Sequence, residues 1–190
     1  MPPLIIIVRH GEAEHNIAAR EKGDDAYLDP AWKDARLSKL GHEQAESAGI
    51  AISEQVSDKI TAIWCSPLTR CIQTAEHIAR HVEAASFFVH DNLLERLGGG
   101  HVCNERRSRD EIVAEYPDIN VTLLPDTPPT WSIREPLPSV RSRITSLCDH
   151  LQKSYRNVEV PIIMIVSHHD AIKELVGVSL GNAKFVVVDG

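Results

Sequence analysis

Four stretches of the chain carry side chains from which chemistry could be built: Arg9-His10-Gly11-Glu12, Ser66-Pro67-Leu68-Thr69-Arg70, Glu95, and Ser167-His168-His169-Asp170. Their guanidiniums, imidazoles and carboxylate suit an oxyanion. Arginine forks grip oxygens bidentately, one imidazole can attack, and another can neutralise charge that develops during transfer. A phosphoryl group is the fitting electrophile, because two guanidiniums and a histidine supply the charge that Mg²⁺ supplies elsewhere. Each stretch is commonplace alone, so the reading depends on elements that bring them together.

Those elements can be read from periodicity. Leu4-Ile5-Ile6-Ile7-Val8 reads as a strand buried on both faces, running straight into Arg9-His10. A second strand, Lys59–Cys65, ends at Ser66-Pro67, expected as N-cap and first residue of a helix with Ile72, Ala75, Ile78, Ala79 and Val82 on one face. Arg70 then falls in the first helical turn, a poor place for a cation unless helix and guanidinium share an anion. Ser86–His90 is a third, shorter strand that opens toward Glu95, and Val160–Val166 is the most apolar strand, with Ser167-His168 at its carboxyl end. In open α/β sheets such ends are where ligands bind.

The remaining pattern fills the gaps. Ile17–Glu21 reads as a helical turn, and Ser38 caps a helix that buries Ala45, Ala48, Gly49 and Ile52. Ser108-x-x-Glu111 is a capping box, Ser139 is expected to cap a long helix through Val140 and Leu151, and Ile172, Leu175 and Val176 mark a last helix before a closing strand at Lys184–Val188. Gly98-Gly99-Gly100 and the five prolines between Pro125 and Pro138 exclude regular structure. The expected fold is an α/β three-layer sandwich with a mostly parallel central sheet. Residues 1–190 form one domain, with 97–138 as an inserted lid.

Composition narrows the function classes. The chain has 190 residues, 43% hydrophobic and 25% charged, with a net charge of −7. That balance fits a soluble protein and argues against nucleic-acid or anionic-membrane partners, which call for a basic face. No apolar run reaches the length of a membrane span, and the first strand follows Met1-Pro2-Pro3 too closely for a signal peptide. Cys65, Cys71, Cys103 and Cys148 show no C-x-x-C pair, as expected of a reduced, cytoplasmic protein. Cys65 and Cys71 read as core thiols. His168-His169-Asp170 is a poor metal site, since adjacent imidazoles rarely meet one ion. His15, His42, His77, His81, His90 and His150 read as surface or packing residues.

Together, Arg9-His10-Gly11-Glu12 after a strand, Asn16, the segment Leu37–Ala45, Ser66–Ala75 and Val166-Ser167-His168 resemble the histidine phosphatase (phosphoglycerate mutase-like) superfamily. The resemblance covers nearly the whole chain in order. His101-Val102-Cys103-Asn104-Glu105-Arg106-Arg107-Ser108 further resembles a phosphoglycerate mutase-like branch of plants and fungi. The resemblance implies His10 as the nucleophile that becomes phosphohistidine, and Arg9, Arg70 and His168 as holders of the phosphoryl oxygens. Asn16 would add a hydrogen bond, and Glu95 would be proton donor and then base. Three departures stand out. His169 replaces a usually small residue and puts a titratable group beside the phosphate; Ala13 stands where many members have a hydroxyl; and the basic residues that cofactor-dependent mutases use after Glu95 are absent. Arg106 and Arg107 are read either as contacts to an anionic substrate tail or as a solvated basic patch. The expected activity is hydrolysis of a small phosphorylated metabolite without metal or cofactor. A phosphomutase and a weakly active phospho-ligand binder are the alternatives, and a homodimer is left open.

Overall fold

Alternation within the first strand sets the layering. In β1 (Leu4–Arg9), Ile6 and Val8 point into one apolar cluster, and Ile5 and Ile7 into another. Each isoleucine is at most 5% exposed, so each contributes roughly 1.5–3 kcal/mol of burial. The structure is a computed structural model and describes residues 3–56 and 59–189. Its sheet has the order β3-β2-β4-β1-β5, with β2 (Ala62–Cys65), β3 (Phe87–Val89), β4 (Ile162–Ser167) and β5 (Phe185–Asp189). The first four strands run parallel, and β5 pairs antiparallel with β1 at one edge. Arg9 lies opposite Ser167, so His10 and His168 leave neighbouring strands at the same level.

Helices cover both faces. α2 (Lys39–Gln55) and α3 (Thr69–Ala79) pack on the Ile6 side, through Ala48, Ile52, Ile72, Ala75 and Ile78. α5 (Leu137–Tyr155) and α6 (His169–Val176) pack on the other, through Val140, Ile144, Leu147, Leu151 and Ile172. α1 (Glu14–Lys22) follows β1 directly and is longer than the helical turn expected there. α4 (Arg109–Glu115) carries the expected capping box of Ser108 and Glu111. No helix among the described residues is long and apolar enough to cross a membrane.

Two expected caps are corrected. Ser66 does not begin α3: the helix starts at Thr69, whose N–H donates to Asp34 Oδ1 at 2.7 Å and whose hydroxyl donates to Asp34 Oδ2 at 2.6 Å. The carboxylate that satisfies this terminus thus arrives from a loop 35 residues earlier, which no local pattern reveals. Likewise α5 begins at Leu137 rather than Ser139, with Pro138 tolerated in the first turn.

A close backbone approach locks the loop after β1. A Cβ on Gly11 would lie 2.5 Å from the Gly41 carbonyl oxygen, and one on Gly41 would fall on the Glu12 carbonyl oxygen. Around this contact Ser38 N–H donates to Glu12 O (2.9 Å), Ser38 Oγ to Glu12 Oε1 (2.7 Å), and Glu12 N–H to Gln44 Oε1 (2.8 Å). Glu12 is therefore spent on holding this loop to α2. Gly41→Ala is expected to destabilise the fold by about 2–3 kcal/mol or more, read from urea unfolding. Gly181→Ala, whose added methyl would make only ordinary contacts, the nearest at 3.5 Å, should stay within about 0.5 kcal/mol.

Candidate active site

The carboxyl ends of β1, β2 and β4 open into a cavity of about 410 Å³ lined by Arg9, His10, Asn16, Arg70, Glu95 and His169 among others. His10 lies at its base, 3% exposed. Its main chain is fixed at both its polar groups: its N–H donates to Ser167 O (3.0 Å), and its carbonyl accepts from Ala183 N–H (3.1 Å) and Asn182 Nδ2 (3.2 Å). The ring is fixed by Nδ1, 2.6 Å from the Gly11 carbonyl oxygen. A carbonyl only accepts, so Nδ1 carries the proton and the lone pair is on Nε2. Burial, then Arg70, Arg9 and His15, holds the His10 pKa well below the ordinary histidine value. The imidazole is neutral and its basic nitrogen is defined.

The two arginines are held by different means. Arg9 Nη1 donates to Leu180 O at 2.7 Å, while its Nε is buried without a partner. Arg70, 1% exposed in the first turn of α3, donates from Nη1 to Cys103 O (2.7 Å) and from Nη2 to Asn104 Oδ1 (3.0 Å). Its Nε likewise is buried and unpartnered. No carboxylate lies within ion-pair distance of either guanidinium among the described residues. A half-buried and a buried guanidinium, both lining one cavity and neither paired with a carboxylate among the described residues, can receive anionic oxygens there.

His168 is fully buried beside His10, ring centroids 5.1 Å apart in an edge arrangement. Its Nε2 is 2.8 Å from Ser66 Oγ and 3.4 Å from Cys71 Sγ. Burial, with Arg70 and His10, also holds its pKa well below normal, and burial pushes the Cys71 thiol up, so imidazole and thiol are both neutral. Glu95 lines the cavity from the segment after β3; its Oε1 accepts from Arg96 N–H (2.9 Å) and its Oε2 from Asp170 N–H at the start of α6 (3.2 Å). Two other carboxylates near these motifs are engaged elsewhere: Glu12 is bound to Ser38 and Arg20, and Asp91 to Arg106. Asn16 lines the wall, accepting from Ala13 N–H (3.0 Å) and donating from Nδ2 to His15 Nε2 (3.1 Å). His169 is on the rim, with Nδ1 2.9 Å from Asp170 Oδ1 and Nε2 2.6 Å from Ser179 Oγ.

Arg106 departs from expectation. It is neither cavity wall nor solvated patch but is 2% exposed, clamped on Asp91 through Nε (2.7 Å) and Nη2 (3.0 Å) and on the Arg107, Pro125 and Thr127 carbonyls. Every nitrogen of its guanidinium is thus engaged, and the residue braces the segment. Arg107 is similarly committed to Asp34 and Glu115. His15, expected as a surface or packing residue, is buried and forms part of the cavity wall, its pKa lowered to about 2 by burial, Arg70 and Arg9. Tyr27, His101, Asn104, Arg134 and Asp170 also line the cavity; Asp170 belongs to the Ser167–Asp170 stretch, Asn104 and His101 to the branch-like stretch, and Tyr27 and Arg134 to no motif. Among the described residues no group of three or more His, Cys, Asp or Glu is placed to hold a metal ion.

The chain resembles known proteins in sequence and in fold. The chain is 25% identical to a probable phosphoglycerate mutase of Arthroderma benhamiae over 98% of its own length and 61% of the relative's. A phosphoglycerate mutase-like protein of Arabidopsis thaliana is 28% identical over 73% of this chain and 62% of that one. The chain therefore spans about three fifths of the length of these curated relatives. The structure of the ecdysone phosphate phosphatase of Bombyx mori, in complex with tungstate, superposes with a TM-score of 0.72 at 14% identity, covering 99% of this chain and 89% of that one. A mycobacterial glucosyl-3-phosphoglycerate phosphatase, complexed with VO3, gives 0.63 at 20% identity, covering 97% and 90%. The sequence model of the histidine phosphatase superfamily (branch 1) matches residues 5–184, and the chain belongs to that superfamily.

Proposed function

We propose that the protein is a phosphomonoesterase that works through a phosphohistidine at His10. The observation that carries this reading is the 2.6 Å contact between His10 Nδ1 and the Gly11 carbonyl, which assigns the proton to Nδ1 and leaves Nε2 as a neutral nucleophile in a cavity lined by two arginines. Arg9 and Arg70, with Asn16, would hold the phosphoryl oxygens. His168, expected from the sequence to hold them too, lies behind His10 rather than on the cavity wall, with Nε2 on Ser66 Oγ, and would instead position the His10 ring. Nε2 attacks phosphorus, the ester P–O bond breaks, and the leaving oxygen takes a proton from Glu95. Glu95 then takes a proton from water as that water attacks phosphorus; the P–N bond breaks, its electron pair returns to Nε2, and phosphate departs. The Gly11 carbonyl stabilises the charge that Nδ1–H acquires meanwhile. No step is assigned to a metal or cofactor. The substrate is proposed to be a small phosphorylated metabolite of the cytoplasm.

A second reading, phosphomutase, is supported by the names of the curated relatives. Product analysis separates the two: phosphate release without isomer formation supports hydrolysis.

Two measurements test the main reading. Replacing His10 by Ala should lower turnover of phenyl phosphate by about a thousandfold or more and abolish a phosphoenzyme that is labile to acid and stable to base. Unchanged turnover contradicts the nucleophile assignment. The second concerns pH. His10, His15 and His168 are held below the ordinary histidine value near 6.5, so below that pH the unfolded chain binds protons that the native one refuses. The stability these groups contribute is present above 6.5 and lost as pH falls, by up to about 1.4 kcal/mol per pH unit for each. Urea unfolding from about pH 8 to about pH 5 should show this loss, and His15→Asn should shallow it. An unchanged slope would count against a neutral, buried imidazole at that position.

A further inference from the structure

The cavity has a third guanidinium that the chemistry above does not use. Arg134 enters its wall from the irregular segment before α5, on the side formed by His101 and Tyr27. Other arginines of the 97–138 segment are taken by carboxylates: Arg106 by Asp91, Arg107 by Asp34 and Glu115, and Arg109 by Asp126. Arg134 has no ion pair among the described residues, although Glu95 and Asp170 share the cavity. Its one hydrogen bond runs from Nη1 to Gly98 O, at 3.2 Å.

The position of its stem is built. Gly98, Gly99 and Gly100 have φ of +74°, +65° and +76°, a left-handed run that only glycine adopts without strain. A Cβ on Gly98 would fall on the Ile133 carbonyl oxygen, and one on Gly99 would meet Arg134 Cδ at 3.2 Å and Cβ at 3.3 Å. The triplet lets residues 131–134 lie flat against it and lays the Arg134 stem along Gly99. Beside it His101 stacks on Tyr27, centroids 5.4 Å apart and planes within 8°, as a rigid side wall. Burial, then Arg134, lowers the His101 pKa, so this wall presents no competing cation.

We propose that Arg134 determines specificity by binding a second anionic group, a carboxylate or phosphate, on the leaving-group side of the substrate. The substrate class is then a short phosphomonoester with an anionic tail, one that fits the 410 Å³ of the cavity. A guanidinium placed by its backbone, half-buried and free of carboxylate partners, has donors to offer such a group, and its fork fits either oxyanion. The anion-tail role weighed from sequence for Arg106 falls to Arg134, since Arg106 is enclosed by Asp91.

This inference rests on the phosphatase reading and is tested with three compounds of similar size: 2-phosphoglycolate (carboxylate tail), 1,3-propanediol bisphosphate (phosphate tail) and glycerol 3-phosphate (neutral tail). The wild type should favour one or both anionic tails, and the preferred one identifies the group. Arg134→Gln should lower kcat/KM for it by roughly 10- to 100-fold, mostly through KM, with less than about a threefold change on glycerol 3-phosphate. Arg134→Lys should recover part of the loss. The unchanged neutral arm reports that the variant is folded. A wild type that turns over all three without preference, or an Arg134→Gln variant that lowers all three equally, overturns the subsite and leaves the phosphatase reading standing. Failure of the wild type on all three and on phenyl phosphate overturns both.

Discussion

The site depends on keeping an imidazole uncharged between two guanidiniums. His10 is buried and flanked by Arg9 and Arg70, so protonating it would cost desolvation of the imidazolium first and then the repulsion of a third positive charge. Together these keep the lone pair available at neutral pH. Burial and the same field act on His15 and His168, so the protein concentrates positive potential without charging its histidines. The cavity therefore presents two permanent charges and neutral rings.

Such a cluster opposes folding, and much of the architecture offsets it. Arg70 is bound by Cys103 O and Asn104, Arg9 by Leu180 O, and the His10 carbonyl by Ala183 and Asn182. Gly11 and Gly41 allow two backbones to touch, which seats the β1 loop against α2 and turns Glu12 away from the cavity. Asp34 stabilises the start of α3, where Arg70 alone would be unfavourable. Asp34 sits in a left-handed conformation, φ 47°, and burial raises its pKa while Thr69 and Arg107 oppose that rise.

The legible part of the sequence was the part carried by periodicity and by strand ends. The Ile5-Ile6-Ile7 run, the faces of α2, α3 and α5, and the position of His10 and His168 at the carboxyl ends of strands all follow from patterns of apolar residues, whereas the pairing of those two strands does not. Features set by contacts far apart in the chain could not be read. The Asp34 cap on Thr69 spans 35 positions and displaced Ser66 from its expected role. Arg106 and Arg134 look alike in sequence, yet Asp91 encloses one and a glycine triplet directs the other into the cavity. His15 also lacked a signal, since a buried wall histidine and an exposed one share the same local pattern. The antiparallel β5 was read as a closing strand, with no pattern to fix its direction.

The bonds from Arg70 to Cys103 and Asn104 tie two parts of the cavity together. The stretch that shapes the outer cavity also immobilises an arginine of the inner one, so it is not a detachable cassette. Exchanging that stretch wholesale would remove both acceptors and release the guanidinium as well. Its side chains can be altered without loosening Arg70 only where the backbone path that brings the carbonyl at 103, and an acceptor at 104, is kept.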